Sequence, residues 1–553
     1  MTRSELRVEK TEAIGTRAMV IADDPRAAEA GADILRAGGN AVDAAIAAAL
    51  VMGVVDPLTS GVGGVAAMVI APREGRTVVV DGAGVAPARA RPDMFELLES
   101  GSAGMYGWPA TKGNEHNEGP RSIGVPGAIA CYCLALETYG RLGRAAIFAP
   151  AIAHADRAEP VTWSFAANLG NYAERLWKNE EASRIFYRPS RAPLRTELGL
   201  EPGETIRQPE LAATLHRIAE RGADDFYRGE LARAIVADVQ RLGGVITFED
   251  LATYRARESE PLVSRYGDVE LRTLPGASGA TTVLEALNLI EAAGRPAPGA
   301  PDAPSTLHLI AEASRVAFAD RFAYLHGDDD ARVAQLTSKE LAAAHIARGD
   351  VDRSRANPRV GAAPLAVPAD TTHVSVVDGD GTAVSLTATL GQAYGSGVVA
   401  RGTGVLLADV MTWFDPRPGR PNSAAPLRRI LWAIAPIVAF RRRQPWLVVG
   451  APGGRRLITS VLQAIVNCVD FDLGPQAAVN AVRIHCEGAT TLLDARAPSA
   501  TREALAGYGH DLRIAEENFV TAFFGRANAI RIEPDGALRG GVHRLKATTA
   551  IGL

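Results

Sequence analysis

The residues best suited to chemistry are two adjacent threonines, Thr371 and Thr372, which begin a strand-like run directly after Asp370. A threonine hydroxyl is a weak nucleophile until a base accepts its proton. At a chain N-terminus, threonine supplies that base itself, because its α-amino group has a pKa of about 7.7–8.0. Cutting the bond between Asp370 and Thr371 would therefore create a nucleophile. Threonine is also common in strands, so the same residues fit an ordinary strand start.

The element that positions Thr371 is a predicted β-hairpin. The runs "HVSVV" and "TAVSLTATL" are rich in β-branched residues and flank "DGDG" at 378–381. If Gly381 is the left-handed residue of a three-residue loop, Thr371 faces Thr389. A two-residue loop places Ala388 opposite Thr371 instead, with Thr389 one step away. In both registers, two threonine hydroxyls lie close together at the end of a sheet.

The remaining pattern predicts a chain that mixes helices and strands. Helix start and stop signals surround "DDPRAAEAGADILRAGGN", and short apolar strands follow glycine turns. Helical patterns cover 128–155, 209–242 and 305–326. The proline-rich stretch 293–304 predicts a surface connection, and 353–370 predicts an exposed, mobile segment ahead of the hairpin.

Composition limits the classes of function. The chain has 553 residues, 47% hydrophobic and 22% charged, which is typical of a globular protein. Its net charge of -4 predicts no basic face, so nucleic acid is not an expected partner. Charges occupy the N-terminal dozen residues, and the apolar run 41–55 falls short of the roughly 20 residues that cross a bilayer, so it predicts a buried helix. We expect no signal peptide, no membrane partner and a cytoplasmic location.

The four cysteines and two histidine-containing motifs predict no metal site. Cys131, Cys133, Cys468 and Cys486 lack paired CxxC spacing and are expected to be reduced core residues. His485, next to one of them, has no partner at metal-ligand spacing. His373 lies on the same strand face as Thr371, and we interpret it as structural.

Seven motifs, in this order, resemble the γ-glutamyltranspeptidase family of self-processing N-terminal-nucleophile hydrolases. They span nearly the whole chain, and a single glycine cluster among them would be weak evidence alone. They are "LRAGGNAVDAAIA" from Leu35, "VVDPLTSGVGG" from Val54, "SIGVPGAIA" from Ser122, "FYRGELARAIVADVQRLGGVITFEDLATY" from Phe226, "AEASRVAFADR" from Ala311, "TTHVSVVDGDG" from Thr371 and "APGGRRLITSVLQAIVN" from Ala451.

The resemblance implies an α/β fold, a four-layer αββα sandwich of the N-terminal-nucleophile hydrolase type. It implies a large subunit, 1–370, and a small subunit, 371–553, cut from one precursor and forming one folded unit. It assigns the nucleophile to Thr371 and a supporting threonine to Thr389. The backbone amides of Gly453 and Gly454 would hold an oxyanion, although a glycine pair also serves simple turns. No metal or organic cofactor is implied, and the expected partners are a small amide or γ-glutamyl-like substrate and the two precursor fragments.

The departures from the family concern the substrate. An arginine that grips the substrate α-carboxylate is replaced, and so are five polar residues of the same pocket. The residues present at these positions are Ala83, Gly391, Val410, Trp413, Trp432 and Ala433. We predict an acyl pocket remodelled toward a less polar group and flanked by Trp413 and Trp432, with ordinary core packing as the alternative role of these two rings. Replacement carboxylate partners, ranked lower, are Arg121, Arg428 and Arg429.

Three functions stay open from the sequence. The first is a γ-glutamyltranspeptidase-like amidohydrolase or acyltransferase that forms an acyl ester on Thr371, with altered acyl specificity. The second is a cephalosporin-acylase-like amidase, or a biosynthetic relative that cleaves an unusual bond in a small metabolite. The third is an unprocessed, non-catalytic homologue that acts as a binding protein.

Overall fold

A computed structural model of the chain describes residues 8–104, 106–327, 329–357, 370–519 and 522–553. The strands are β1 Ala13–Gly15, β2 Met19–Ala22, β3 Val65–Ala71, β4 Val78–Gly82, β5 Leu97–Ala103, β6 Trp108–Thr111, β7 Glu159–Pro160, β8 Thr205–Ile206, β9 Arg257–Ser259, β10 Leu262–Tyr266, β11 Val269–Thr273, β12 Thr372–Val377, β13 Ala383–Thr389, β14 Val399–Ala400, β15 Val405–Leu406, β16 Ile437–Arg441, β17 Gln444–Gly450, β18 Ile484–Cys486, β19 Thr490–Asp494, β20 Asp511–Ala515, β21 Asn528–Ile532, β22 Leu538–Gly541 and β23 Thr549–Gly552.

The α-helices are α1 Pro25–Arg36, α2 Ala41–Val55, α3 Ala128–Tyr139, α4 Arg144–Asp156, α5 Trp163–Asn171, α6 Ala173–Leu176, α7 Glu180–Phe186, α8 Pro209–Arg221, α9 Ala223–Tyr227, α10 Glu230–Arg241, α11 Phe248–Thr253, α12 Gly279–Ala292, α13 Pro304–Tyr324, α14 Asp330–Leu336, α15 Lys339–Ala347, α16 Arg456–Asp470, α17 Pro475–Asn480 and α18 Ser499–Gly507. Short 3-10 turns form at Lys112–Asn114, Pro120–Ser122 and Val410–Trp413.

Two seven-stranded antiparallel sheets form the centre of the fold. One has the strand order β1-β22-β21-β17-β16-β11-β10, and the other has the order β23-β2-β12-β13-β3-β4-β9. Each sheet contains strands from both sides of residue 370. The segments 1–370 and 371–553 therefore complete each other's sheets.

The β12–β13 hairpin sits in the middle of the second sheet, between β2 and β3. Its register pairs Thr372 with Ala388, which places Thr371 opposite Thr389. Gly381 has φ +79° and closes a three-residue loop in which the N–H of Asp378 donates to the carbonyl of Thr382, at 3.1 Å. The three-residue loop predicted from "DGDG" is confirmed, and the two-residue alternative is wrong.

The two sheets pack face to face, with β12 and β13 against β17. Helix α2 packs on β12 and β13, and α16 packs on β17. All 15 residues of α2 are buried, as the alanine-rich run predicted, and Asn40 and Asp43 close its N-terminus as a capping box. The carboxylate of Asp378 accepts a hydrogen bond from the N–H of Ala41 at 2.9 Å, which ties the hairpin loop to the start of that helix.

Glycines divide two of the predicted helices. The pattern at 128–155 forms α3 and α4, separated by an extended segment that begins at Gly140. The pattern at 209–242 forms α8, α9 and α10, because Gly222 takes φ +71° and ends the first of them. The third pattern is confirmed as one helix, α13. Most of the predicted mobile segment, 358–369, lies outside the described residues.

The cysteines agree with the expectation of reduced core residues. All four cysteines are buried and none is in a disulfide. Within the described parts of the chain, no helix has the length and apolar character needed to span a membrane.

Candidate active site

The hydroxyls of Thr371 and Thr389 lie 3.3 Å apart at the end of the central hairpin. Thr371 immediately precedes β12, and Thr389 is the last residue of β13. Each side chain is 3% exposed. The register of two central strands therefore holds both hydroxyls in a site shielded from water.

Thr389 connects Thr371 to the peptide bond ahead of it. Its hydroxyl donates to the carbonyl oxygen of Asp370 at 3.1 Å, and accepts from Thr371 and from the N–H of Gly391, the latter at 2.9 Å. This assignment uses the single hydroxyl proton of Thr389 and both of its lone pairs. A chain of two hydrogen bonds thus connects the Thr371 hydroxyl, by way of the Thr389 hydroxyl, to the carbonyl oxygen of the bond that would be cut.

The side chain of Asp370 is held by a buried arginine. Arg526 Nη1 lies 3.2 Å from Asp370 Oδ1, and the arginine is only 7% exposed. Its backbone N–H donates to the carbonyl of Pro452 at 2.9 Å. One residue therefore links Asp370 to the loop between β17 and α16, which carries Gly453 and Gly454.

Gly453 and Gly454 both have backbone conformations that favour glycine, with φ +129° and +56°. A Cβ on Gly453 would lie 2.8 Å from the Cα of Gly525. Among the hydrogen bonds of the described residues, neither glycine donates its N–H to another protein group. The turn is thus dictated by backbone shape, and it leaves two adjacent amide donors unused within the chain.

Trp413 lies beside Gly391, the residue whose N–H donates to Thr389, and Trp432 belongs to the same apolar cluster. The Cη2 of Trp413 is 3.1 Å from where a Cβ on Gly391 would be, and Gly391 contacts Thr389 directly. The backbone carbonyl of Trp432 accepts from Arg321 Nη2 at 2.8 Å. Both indole rings are almost fully buried, at 2% and 3% exposed, in one apolar cluster.

The surroundings of residue 391 explain why it is a glycine. Its φ is +104°, and a Cβ there would lie 1.9 Å from the Oδ1 of Asp409. No side chain fits at this position without moving Asp409. Burial raises the pKa of Asp409 to about 7, and its carboxylate accepts hydrogen bonds from Gln392.

The arginines considered as replacement carboxylate partners already have structural partners. Arg429 Nη2 donates to Asp81 at 2.5 Å, and the N–H of Ala83 donates to the same carboxylate. Arg428 donates to the carbonyls of Pro421 and Ser423.

The third candidate, Arg121, pairs with Glu115 at 2.8 Å and donates to the carbonyl of Met94. Together with the partners of Arg428 and Arg429, these contacts favour structural roles for all three arginines.

A cavity of about 680 Å³ opens beside Asp370 and Arg526. Charged side chains line its inner part, and the rings of Trp163 and Phe519 meet edge to face at its rim, with centroids 5.8 Å apart. The residues lining it include Asp23, Asp24, Asp56, Thr59, Asp370, Arg526, Arg544 and Lys546, but neither Trp413 nor Trp432.

Asp56, which follows α2 directly and lines this cavity, belongs to one of the seven motifs, and the sequence predicts no role for it. Burial, and then the nearby charges of Asp370 and Asp24, raise the pKa of Asp56 to about 7. The motif "VVDPLTSGVGG", with an aspartate placed at the end of a buried helix, was the available signal. For Arg526, far along the chain, no such signal exists.

His373 serves the packing between the sheets. Its Nδ1 lies 2.8 Å from the hydroxyl of Thr387, and its Nε2 lies 3.2 Å from that of Ser375. Burial lowers the pKa of His373 to about 3, so the ring is neutral near pH 7. A Cβ on Gly450 would lie 2.1 Å from the ring, which explains why β17 ends in glycine there.

Comparisons with known proteins identify the family of the chain. The sequence profile of the family described as Gamma-glutamyltranspeptidase matches residues 27–553. The glutathione hydrolase proenzyme of Escherichia coli (strain K12) is 33% identical over 94% of this chain and 89% of its own length. The Acylase ACY 1 proenzyme of Pseudomonas sp. (strain SE83) is 34% identical over 97% of this chain and 94% of its own length.

The crystal structure of cephalosporin acylase from Bacillus halodurans superposes with a TM-score of 0.86 and 28% identity, covering 100% of this chain and 99% of that one. The same family is indicated by a family profile over nearly the whole length, by two relatives above 30% identity and by a solved structure of similar size. The chain belongs to the gamma-glutamyltranspeptidase family.

Proposed function

We propose that this chain is a self-processing amidohydrolase or acyltransferase whose nucleophile is Thr371, freed by cleavage of the Asp370–Thr371 bond. The observation that carries the proposal is the hydrogen-bond path from Thr371 Oγ1 through Thr389 Oγ1 to the carbonyl oxygen of Asp370. The relatives named as proenzymes support a cleavage step.

In the proposed cleavage, the Oγ of Thr371 attacks the carbonyl carbon of Asp370 and its proton passes to the departing nitrogen. The C–N bond breaks, and an ester between Asp370 and Thr371 forms in its place. Water then hydrolyses the ester. This leaves a new C-terminal α-carboxylate on Asp370 and the free α-amine of Thr371. Thr389 donates to the oxygen on which negative charge develops, a role for which a single donor contributes about 2.7–4 kcal/mol in other enzymes.

In the proposed turnover, the freed α-amine of Thr371 accepts the hydroxyl proton as the hydroxyl attacks a substrate acyl carbon. The amide bond of the substrate breaks, its amine takes up the proton and leaves, and an acyl ester remains on Thr371. Water or a second amine then releases the acyl group. The unused N–H groups of Gly453 and Gly454 are the proposed oxyanion donors, and no step needs a metal or organic cofactor.

We assign the acyl group to a class less polar than γ-glutamyl. Ala83 provides no charge for a substrate α-carboxylate, and Trp413 stands beside Gly391 where the resemblance places polar residues. A cephalosporin-acylase-like amidase is therefore the second candidate, and the structural likeness to the Bacillus halodurans protein supports it.

The four-layer αββα arrangement belongs to the same proposal. Support comes from the face-to-face packing of β12 and β13 on β17, with α2 and α16 on the outer sides of these strands. An unprocessed binding protein would share this fold and differ in the outcome of the test below. A biosynthetic relative that cleaves another bond with the same nucleophile would share both the fold and the self-cleavage, and would differ in its substrate.

The test is the intact mass and N-terminal sequence of the purified protein, beside Thr371→Ala. By length, the 58.2 kDa chain divides into about 39 kDa for 1–370 and about 19 kDa for 371–553. We expect both fragments in the wild type, a new N-terminus at Thr371, and only full-length chain in the variant. Wild-type protein that stays whole would refute self-processing and favour the binding protein.

A further inference from the structure

Three helices of the segment ahead of the hairpin bring Glu285, Asp320 and His345 together. These residues lie on α12, α13 and α15, respectively. One ligand atom from each, a carboxylate oxygen or an imidazole nitrogen, lies within 4.8 Å of the other two. The cluster belongs to the helices around α12 and includes none of the residues of the candidate active site.

Glu285 is the unusual member of the cluster. It is 2% exposed, and among the described residues neither of its carboxylate oxygens accepts a hydrogen bond from a backbone or side-chain N–H; the only group it meets closely is the carboxyl group of Asp320. A buried carboxylate without a partner is costly, and buried polar groups are nearly always satisfied. The charged group that acts on it most directly, Asp320, has the same sign. A shared proton, a protonated His345 beside Asp320, or a bound cation must therefore compensate this pair.

A second buried cluster in the chain shows the contrast. His308 Nδ1 and His510 Nε2 lie 2.8 Å apart, and Glu312 pairs with Arg315 at 2.5 Å and accepts from the N–H of Asn357. Every member of that cluster is satisfied by protein groups. Of these two clusters, the one with Glu285 is the one in which a buried carboxylate accepts no hydrogen bond from a protein N–H.

His345 is oriented in the way that metal-ligating histidines are. Its Nε2 faces Asp320 Oδ2 at 3.1 Å, while its Nδ1 lies 2.7 Å from Asp350 Oδ2 on the other side. Arg348 lies beside both groups, with its Nη2 2.8 Å from Nδ1 and its Nε 3.0 Å from Asp350 Oδ2. The carboxylate of Asp350 accepts hydrogen bonds from both the His345 imidazole and the Arg348 guanidinium, which explains why these two groups lie close together. A carboxylate behind the histidine is the usual outer partner that fixes a ligating ring.

We propose that Glu285, Asp320 and His345 bind a divalent transition-metal ion of the Zn²⁺ class, which joins α12, α13 and α15. One imidazole and two carboxylates suit such an ion better than Mg²⁺ or Ca²⁺, which take oxygen ligands. Tetrahedral Zn²⁺ with bonds of about 2.0–2.2 Å holds its ligand atoms roughly 3.4 Å apart, so small side-chain rotations close the site. The ion reaches it from the surface past Asp320 and Asp350, whose side chains are 15% and 26% exposed.

The experiment uses the full chain, stripped with EDTA, desalted and incubated with ZnCl₂. Bound zinc is measured by elemental analysis after a second desalting, and the thermal midpoint is recorded with and without zinc. The variants are Glu285→Gln, which removes the most deeply buried ligand, and His345→Gln, which removes the imidazole beside the half-buried Asp320, in case the first fails to fold. Glu340→Gln is the matched control, since this exposed residue of α15 lies outside the cluster.

We expect one zinc ion per chain in the wild type and the control, and at least tenfold lower occupancy in both cluster variants. Zinc at about 100-fold above its Kd should raise the wild-type midpoint by about 2 °C and leave the cluster variants unchanged. Equal zinc retention in wild type and both variants would overturn the proposal, and so would a midpoint shift that survives Glu285→Gln. A wild type without zinc uptake would also overturn it and leave a proton-sharing carboxyl pair.

Discussion

Arg526 holds Asp370 by its side chain, at 3.2 Å, while its own backbone N–H is bonded to the loop that leads to Gly453. The guanidinium therefore fixes the residue on the N-terminal side of the proposed cleavage bond relative to the proposed oxyanion donors. It also supplies positive charge next to two carboxylates of the adjoining cavity, the buried Asp23 and the half-buried Asp56.

Removing the Arg526 side chain should slow self-cleavage. Arg526→Ala frees Asp370 and leaves nearby carboxylates without their counter-charge, and we expect cleavage at least about tenfold slower, which corresponds to about 1.4 kcal/mol. The measurement is the fraction of full-length chain over time on a denaturing gel. Arg526→Lys keeps the charge without the planar fork and should be intermediate. Wild-type rates in both variants would contradict the role assigned to Arg526.

Removing the Thr389 hydroxyl should have a larger effect. Thr389→Ala loses the donor to the Asp370 carbonyl and the acceptor for Thr371, so we expect cleavage slower by about 10²–10³. Thr389→Ser keeps the hydroxyl and is the matched control, with a rate within about tenfold of the wild type. If the alanine variant matures as fast as the serine variant, the hydroxyl path is not used.

The acyl specificity can be tested with two classes of anilide. We expect the kcat/KM for simple acyl anilides to exceed that for the γ-glutamyl anilide by at least about tenfold, because Ala83 offers no charge to the α-carboxylate. Release of the aniline is followed by absorbance, with Thr371→Ala as the blank. Efficient, saturable turnover of the γ-glutamyl compound would refute the remodelled pocket.

Asp56 should make stability depend on pH. Its pKa is raised by burial to about 7 from 3.8, so the folded state binds a proton that the unfolded state releases between these two values. The contribution of Asp56 to the free energy of unfolding is therefore fully present below about pH 4, and it is lost as the pH rises through 7. Asp56→Asn removes this dependence.

We therefore compare the free energy of unfolding of Asp56→Asn with that of the wild type at two pH values. The variant's advantage should be larger at pH 8 than at pH 5, by about 1–2 kcal/mol. Urea unfolding of the Thr371→Ala background, with and without Asp56→Asn, measures the difference on a single uncut chain. An equal difference at both pH values would show that Asp56 does not titrate as described.

The local geometry of the proposed nucleophile could be predicted because it depends on one hairpin. The glycine at position 381 selects the loop, the loop selects the register, and the register brings Thr371 to Thr389. The helix breaks near Gly140 and Gly222 were missed because helical periodicity continues across them, and only the backbone angles record the interruption.

The surroundings of the site were less accessible from the sequence. Arg526 lies 156 positions from Asp370, and no local pattern connects the two residues. The indole of Trp413 lies beside Gly391, but the cavity next to Asp370 is lined by charged side chains from distant segments and not by the two tryptophans predicted to flank the acyl pocket. Which distant residues converge is decided by the packing of two sheets, and that packing is not encoded in any single motif.

The interleaving of strands from 1–370 and 371–553 in both sheets has a kinetic consequence. Strands β1 and β2 of the first segment pair with β22, β12 and β23 of the second, so neither fragment retains a complete sheet alone. An uncut chain refolds by a first-order process, whereas a cut chain must reunite two molecules, so its recovery falls with dilution. Maturation would thus change a reversible fold into an assembly that, once unfolded at low concentration, is kinetically difficult to rebuild.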